Sequence, residues 1–415
     1  MSLFFCLSGF IIHYVYGPAF DLAPRSSAGR FFIARASRLY PLFLTVVVIG
    51  VLYYPQVSAA LSADPWCAVS YLTLTGTWWY WQHEGKILIE LAPIGLTWSI
   101  STEWFFYLAY AVCLYPIFRI RSVRVCTAAL VLLGGFAYMV FWTIHSHWAA
   151  WEPFVLARMP DAIARSTDWP NSFFRWLYYV SPYARLFEFV GGCLVCQLFF
   201  ILRPRSNSRW RNEVLFWAGA AWLVASFCLF TYAGIALDGA PVRGRSPIIE
   251  FLVSAHMNVL FAPGILLLLL GIALGCRAAY LLSLAPIVLL GEISYSIYLG
   301  HPFVAAFAFV SPTSAHQWLG IGGDMFLACV FALGLYQSIE RPAKLWLRNK
   351  LNPAFLSHVA VAVRARLQRF AAISPEGAAC FGDTPSGPRA VAPPASAQPD
   401  ASAQGRLDPT SSVRA

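Results

Sequence analysis

Long apolar runs dominate the chain, and short polar or basic segments separate them. These runs cover residues 1–17, 40–57, 68–82, 94–118, 124–144, 177–202, 213–235, 250–275, 286–310 and 318–340. A helix needs about 20 apolar residues to cross the hydrocarbon core of a bilayer. Because the runs are continuously apolar, they do not show the alternation of barrel strands. The pattern predicts an all-α fold, a polytopic integral membrane helical bundle with about nine to ten transmembrane helices.

Basic residues cluster in four segments and predict the orientation of the bundle. The clusters are Arg25, Arg30, Arg35 and Arg38; Arg119, Arg121 and Arg124; Arg203, Arg205, Arg209 and Arg211; and Arg341, Lys344, Arg348 and Lys350. Lys and Arg are enriched in cytoplasmic loops, so all four segments are predicted to be cytoplasmic. The first of them is expected to be a loop. Because successive crossings alternate in direction, all four clusters can be cytoplasmic only if one of the apolar runs does not cross the membrane. The weakest, 68–82, is expected to be re-entrant or interfacial on the outer side, which leaves nine crossings.

Composition narrows the class of protein further. Of 415 residues, 59% are hydrophobic and 12% are charged, with a mean hydropathy of +0.62, whereas soluble domains carry roughly 25% charged residues. These values exclude bulk disorder and a water-soluble globule. The net charge of +10 is explained by cytoplasmic loops rather than by nucleic-acid binding. Most of the ten cysteines lie inside apolar runs, so we expect no metal site and no disulfide framework.

The C-terminal part differs in character from the apolar runs. Residues 1–348 are expected to form the transmembrane domain. Residues 349–370 combine apolar and arginine positions and predict an interfacial basic helix on anionic lipid, with a plain solvated helix as the alternative. Residues 371–415 are rich in Ala, Pro, Ser and Gly. We expect them to form a disordered cytoplasmic tail, because they cannot bury enough apolar area to offset their ordering entropy.

Polar and ionisable side chains inside apolar spans are costly, so they are candidate functional residues. Arg35 and Arg38 lie one helical turn apart, which predicts that both guanidinium groups face one way and suit a phosphate-rich ligand. Ordinary topogenic charge is the alternative. Ser99 and Glu103 are four residues apart on one predicted helix face. A carboxylate at that depth must be neutral, paired or in a wet cavity.

Two further polar sets follow along the chain. Arg185 and Glu188 can pair within one helix, and for them structural pairing is the favoured interpretation. Ser294, Tyr298 and His301 are predicted to share a helix face. A packing role for the histidine is the alternative to a catalytic one.

Five segments in this order resemble the membrane-bound acyltransferase-3 family, which includes bacterial O-acetyltransferases acting on cell-surface and exported sugars. The matching segments are residues 4–10 (FFCLSGF), 35–41 (RASRLYP), 98–107 (WSISTEWFFY), 185–189 (RLFEF) and 294–301 (SYSIYLGH). Each motif alone is weak, but their order and the hydropathy around them agree. The resemblance covers roughly residues 1–348.

The resemblance implies transfer of an acyl group, usually acetyl, from acyl-coenzyme A to a sugar hydroxyl in the bacterial cytoplasmic membrane. The implied partners are membrane lipids, acyl-coenzyme A and a sugar or polysaccharide acceptor. Arg35 and Arg38 would hold the phosphates of the coenzyme. The substrate cavity would be lined by Trp98, Ser99, Tyr107, Arg185, Glu188, Ser294, Tyr295 and Tyr298.

One departure from the family concerns its first helix, which carries an arginine and a histidine held to be the catalytic base. The segment at 4–10 belongs to what should be the second helix, so we expect either a start that lies further upstream or a truncated and inactive copy. His13 is not assigned the role. Without the family histidine, Glu103 or His301 would have to act as the general base, with Tyr298, Ser99 and Ser294 as candidate oxyanion donors.

Two other classes remain open at the level of sequence. A transporter of polysaccharide or of a small substrate would also place polar residues at mid-membrane, although the motifs do not repeat between the two halves of the chain. A non-catalytic structural subunit is the third class.

Overall fold

The computed structural model describes residues 1–87, 94–159, 161–164, 168–203, 208–238, 246–306 and 317–350, and these are almost entirely helical. The α-helices are α1 Ser2–Leu22, α2 Pro24–Tyr53, α3 Pro55–Ala63, α4 Pro65–Leu72, α5 Trp98–Ala109, α6 Val123–Ser146, α7 Trp148–Arg158, α8 Phe173–Arg175, α9 Pro182–Leu202, α10 Arg209–Asp238, α11 Pro247–Ala255, α12 Ala262–Ala273, α13 Arg277–Leu282, α14 Ala285–Ala306, α15 Gln317–Leu335 and α16 Arg341–Lys350. A short antiparallel hairpin, with two residues in each strand, pairs β1 Gln82–His83 with β2 Lys86–Ile87. The all-α membrane fold expected from the hydropathy is confirmed.

Helices of other types extend several of these α-helices. The part of the chain that the structure describes contains four π-helical segments: Tyr110–Leu114 after α5, Trp176–Val180 after α8, His256–Phe261 between α11 and α12, and Tyr336–Glu340 between α15 and α16. Short 3₁₀ helices cover Ile94–Thr97, Tyr115–Arg119 and Trp169–Asn171.

The first basic cluster lies in a helix and not in a loop, which corrects the expectation from hydropathy. Only Ala23 separates α1 from α2, and Pro24 occupies the first turn of α2, where its missing N–H costs nothing. From Arg25 onward no residue breaks the helix, so α2 extends well beyond the expected span of 40–57. Arg35 and Arg38 are therefore held on a rigid element.

Among the described residues, seven helices are long and apolar enough to cross a membrane, and there are eight if the bent pair Pro247–Val253 and Asn258–Ala273 is one span. The expected crossing at 94–118 is missing from this count because it is divided into 3₁₀, α, π and 3₁₀ segments. The expected non-crossing run at 68–82 contains the end of α4, only eight residues long, followed by turns. The predicted interfacial helix from 351 onward and the predicted tail lie outside the described residues.

The divided run 94–119 keeps step with α1 along its whole length. Ser8 contacts Glu103, His13 contacts Tyr110, and Asp21 contacts Arg119. The residue numbers of the contacting residues increase together in the two runs, so the runs point in the same direction and cover the same depth. The run 94–119 therefore matches a membrane-spanning helix in depth, although it is not one of the seven or eight candidate spans, and the predicted number of nine crossings stays a prediction.

Helices α1 and α9 cross at backbone contact. A Cβ added to Gly9 would overlap the carbonyl of Phe189, and one added to Gly192 would overlap the carbonyl of Cys6. The Cys193 thiol donates to the Gly9 carbonyl at 3.4 Å. Small residues at such a crossing let helix backbones approach closely in a membrane, where packing rather than hydrophobicity drives association.

We expect Gly9→Ala to destabilise the protein by about 1–3 kcal/mol, because the added methyl group overpacks a backbone contact. The matched control is Gly134→Ala in α6, where an added Cβ meets nothing within 4 Å. Thermal unfolding in detergent measures both. If Gly9→Ala melts at the temperature of Gly134→Ala, the close crossing is wrong.

Candidate functional site

Glu103 is the centre of the candidate site. Its side chain is buried, and its Oε1 accepts hydrogen bonds from Ser8 Oγ of α1 at 2.8 Å and from Tyr107 Oη of α5 at 2.6 Å. Both bonds from described residues end on Oε1, so Oε2 is uncommitted. A carboxyl group held this way inside an apolar bundle can exchange a proton with a substrate while its orientation stays fixed.

Arg35 continues this polar cluster on the other side of Tyr107. Its guanidinium lies 4.8 Å from the ring centre of Tyr16 and 5.7 Å from that of Tyr107, and Nη2 donates to Tyr16 Oη at 2.8 Å. The Arg35 Nε is buried and bonds no described residue. A planar cation with an unused donor suits an anionic ligand, because a guanidinium presents several N–H groups in one plane.

Arg38 differs from Arg35, which corrects the expectation that both guanidinium groups face the same way. Arg35 is buried, whereas Arg38 is exposed. Positions three apart on a helix differ by about 60° in direction, and the edge of the buried face of α2 falls between them. The carboxylate of Glu340 lies within electrostatic range of Arg38 and accepts from Ser296 Oγ at 2.7 Å.

Hydroxyl groups connect α14 to the start of α5 and to α2. Ser99 Oγ donates to Tyr298 Oη at 2.9 Å, and Tyr298 Oη donates to the Leu96 carbonyl at 2.7 Å. Tyr295 Oη donates to the Leu39 carbonyl of α2 at 2.8 Å. Trp98 is buried, with its ring 6.0 Å from Phe5 and 5.1 Å from Tyr179. Trp98 and Ser99 precede Glu103 by five and four residues in α5, and the hydroxyl contacts hold this turn of α5 against α14.

Tyr298 and His301 lie on the same side of α14, as the sequence predicts, with 6.2 Å between their ring centroids, but Ser294 and His301 do not face the interior of the bundle. Both are exposed, and each bonds a carbonyl of its own helix, Ser294 Oγ at 2.8 Å and His301 Nδ1 at 3.2 Å. No hydrogen bond or ring contact of the described residues joins His301 to Glu103. The buried face of α14 instead includes Ile293, Ser296 and Leu299, which recur at helical spacing.

Arg185 and Glu188 form a fully buried pair, with 0% exposure for both side chains and 2.9 Å between Nη1 and Oε1. Arg185 also donates to Asn258 Oδ1 at 2.8 Å and to the Tyr179 carbonyl at 2.9 Å, while Asn258 Nδ2 donates to the Tyr178 carbonyl. The pair thus joins α9 to two π-helical segments. Arg185 Nη2 and Glu188 Oε2 bond no described residue.

Several contacts at the site involve residues that the sequence analysis did not assign. Ser8 and Tyr16 lie on one face of α1, eight residues apart, and the first of them belongs to the segment 4–10 already singled out. Thr77 Oγ1 donates to Ser101 Oγ at 2.8 Å and contacts Thr102 Oγ1 at 3.2 Å, so an outer loop is held against α5. Helical spacing from Ser8 would have identified Tyr16. No local pattern pairs Thr77 with α5.

His13 contacts Tyr110 Oη through Nδ1 at 3.0 Å and is fully buried. Its position deeper along α1 than Ser8 separates it from Glu103 by more than one helical turn. Within the described residues, no group of three or more His, Cys, Asp or Glu side chains is placed to hold a metal ion.

The chain is similar to known acyltransferases. A family model described as an acyltransferase domain matches residues 1–337. The chain is 24% identical over 358 residues to a Bacillus subtilis (strain 168) protein named "Putative peptidoglycan O-acetyltransferase YrhL". The alignment covers 83% of this chain and 50% of that protein, so the chain spans about half the length of the curated relative it matches. No solved structure matches the chain significantly.

Arg185→Gln should destabilise the protein by about 3–5 kcal/mol, because it leaves the Glu188 carboxylate buried without its charge partner. The matched control is Arg119→Gln. It breaks the Asp21 ion pair, whose arginine side chain is 61% exposed, and should cost about 1 kcal/mol or less. Chemical denaturation in detergent compares the two. Equal losses of stability would contradict the structural role assigned to the buried pair.

Proposed function

The chain belongs to the acyltransferase-3 family, whose domain model spans residues 1–337, and from this premise we propose that it transfers an acyl group, usually acetyl, from acyl-coenzyme A to a sugar hydroxyl. The acceptor would be a cell-surface or exported polysaccharide or a glycolipid. The Bacillus subtilis relative, which is named "Putative peptidoglycan O-acetyltransferase YrhL", supports this acceptor class. The site of action would be the bacterial cytoplasmic membrane.

The observation that carries the proposal is the orientation of the Glu103 carboxyl group. Ser8 and Tyr107 hold Oε1, so Oε2 can take the proton of an acceptor hydroxyl. The hydroxyl oxygen then forms a C–O bond to the thioester carbonyl, the C–S bond breaks, and the proton ends on the thiol of coenzyme A. Proton transfer by a positioned side chain contributes about 10²–10⁴-fold to such reactions.

The two arginines suit the donor in different ways. Arg38 is exposed on α2 and can meet phosphates that arrive from the aqueous side, whereas Arg35 is buried next to Tyr107 with Nε unused. A guanidinium held rigidly by Tyr16 loses little side-chain entropy when it binds an anion. We therefore assign Arg38 to the entrance and Arg35 to the inner end of the donor path.

The oxyanion of the tetrahedral intermediate needs hydrogen-bond donors near the thioester carbonyl. The Tyr298 and Ser99 hydroxyls lie beside Glu103, but each already donates, to Leu96 and to Tyr298 respectively. Either hydroxyl would have to turn toward the substrate to act. Ser294, on the exposed face, is not a donor in this scheme.

Glu103→Gln should lower acyl transfer by about 100-fold or more, because the amide cannot accept the proton. The matched control is Glu292→Gln, since Glu292 is exposed on α14 and should tolerate the change. Transfer of labelled acetyl groups to cell-surface glycan, in a deletion strain that produces each variant, measures the effect. Full transfer by Glu103→Gln would remove the carboxyl group from the mechanism.

Arg35→Ala should raise the KM for acyl-coenzyme A by about tenfold or more, because a charge-assisted bond to a phosphate is worth about 1.5–3 kcal/mol. Arg30→Ala is the matched control, since Arg30 lies in the same helix but is exposed and bonds the Ser26 carbonyl. Steady-state kinetics in nanodiscs compares the two. An unchanged KM in Arg35→Ala shows that the donor binds elsewhere.

A further inference from the structure

A cavity of about 360 Å³ lies at the end of the bundle opposite to Arg119. Its wall is formed by Asp64 at the start of α4, by residues 80–82 where the chain enters the hairpin, and by Met159, Asp161 and Ala162 after α7. The positive-inside pattern places this end on the outer side of the membrane. A volume of this size falls within the range of small-molecule sites, and the mechanism described above does not use it.

Asp64 and Tyr80 build the wall of the cavity, and their polar atoms are already engaged in hydrogen bonds within the protein. Asp64 Oδ1 accepts from the Trp66 N–H at 2.9 Å, and Oδ2 accepts from Trp81 Nε1 at 3.1 Å. Tyr80 Oη donates to the Asn171 carbonyl at 3.0 Å and accepts from the Ile163 N–H at 3.1 Å. Burial raises the pKa of Tyr80, so its hydroxyl stays protonated and keeps donating. Three separate chain segments are thereby tied together.

Three other groups of the cavity remain available. Trp81 is half-buried, and its indole is oriented by the bond to Asp64 and by stacking on His83, with 6.1 Å between the ring centroids. Gln82 uses Oε1 to accept from the Gly85 N–H, so its amide nitrogen is left to donate. The Asp161 carboxylate is exposed and bonds no described residue. An oriented aromatic ring, one hydrogen-bond donor and one acceptor make up a set that suits the apolar face and the hydroxyls of a sugar ring.

Residues Thr77 and Trp78, which precede the cavity residues 80–82, bind the helix that carries Glu103. Trp78 Nε1 donates to the Ser101 carbonyl at 3.2 Å, and the Thr77 N–H and hydroxyl both donate to Ser101 Oγ. Ser101 lies two residues before Glu103. A ligand seated on Trp81 is therefore bound by a segment that is anchored, only a few residues away, to the candidate catalytic helix.

Charge decides which sugar fits. The described lining contains the carboxylates of Asp64 and Asp161 and no cationic side chain, and Asp168 acts on Tyr80 from nearby. An acidic sugar would place a like charge beside Asp161. We propose that this cavity binds an uncharged sugar unit of the acceptor and discriminates against uronic acids. That the bound sugar is the acceptor rests on the proposed function, whereas the binding itself does not.

The test is calorimetric titration of the full chain in nanodiscs with two probes, the neutral disaccharide N,N′-diacetylchitobiose and a glucuronic acid–N-acetylglucosamine disaccharide. The parent should bind the neutral probe at least about tenfold more tightly, because like charges repel at short range. Trp81→Ala should weaken neutral binding about tenfold. The matched control is Trp79→Ala, whose ring is 49% exposed and does not line the cavity.

Asp161→Asn should reduce the preference for the neutral probe by about threefold or more, because it removes one of the repulsive charges and keeps the shape. This surface variant also serves if Trp81→Ala does not fold. Absence of saturable neutral binding, equal binding of both probes by the parent, or equal losses in Trp79→Ala and Trp81→Ala would each overturn the proposal. None of these measurements involves acyl-coenzyme A, so a failure of acyl transfer and a failure of sugar binding are separate results.

Discussion

The backbone contact between α1 and α9 is the constraint on which the rest of the structure depends. Gly9 and Gly192 each face the main chain of the other helix, and any side chain larger than hydrogen would separate the helices. On α1, Ser8 precedes this crossing by one residue and reaches Glu103. On α9, the Arg185–Glu188 pair lies one to two turns before it. A shift at the crossing would therefore move both the candidate base and the buried ion pair.

The two carboxyl groups of Glu188 and Glu103 are assigned different roles, one structural and one catalytic, because their hydrogen-bond partners differ. Glu188 has a cation in contact on its own helix, and that cation is itself bound by Asn258 and a carbonyl, so the charge is locked into the structure. Among the described residues, Glu103 accepts hydrogen bonds only from the hydroxyls of Ser8 and Tyr107, and the Arg35 guanidinium lies 5.7 Å from the centre of the Tyr107 ring. A carboxyl group with neutral partners can gain or lose a proton at lower cost than one in a buried ion pair.

The π-helical segments recur where polar side chains must reach the interior. Tyr110 of the first contacts His13, the Tyr179 carbonyl of the second accepts from Arg185, Asn258 of the third accepts from Arg185, and Glu340 of the fourth accepts from Ser296. A π-turn widens the helix and frees backbone groups, and such turns are frequent at functional sites. The pattern of apolar residues is the same in α- and π-helical turns, so it does not show where the winding changes. The run 94–119 is divided into short helices although it spans the same depth as α1.

The sequence by itself determined the all-α membrane class, the position of most spans, and the segments that contain the candidate site. It did so because continuous apolar runs and clustered arginines follow directly from the bilayer as solvent. Only the tertiary structure decided which side chains face inward: Arg35 but not Arg38, Ser296 but not Ser294 or His301, and Ser8 as a partner of Glu103. The physical reason is that lipid and protein interior are equally apolar. A helix in a membrane therefore carries little amphipathic signal to show which of its faces meets another helix.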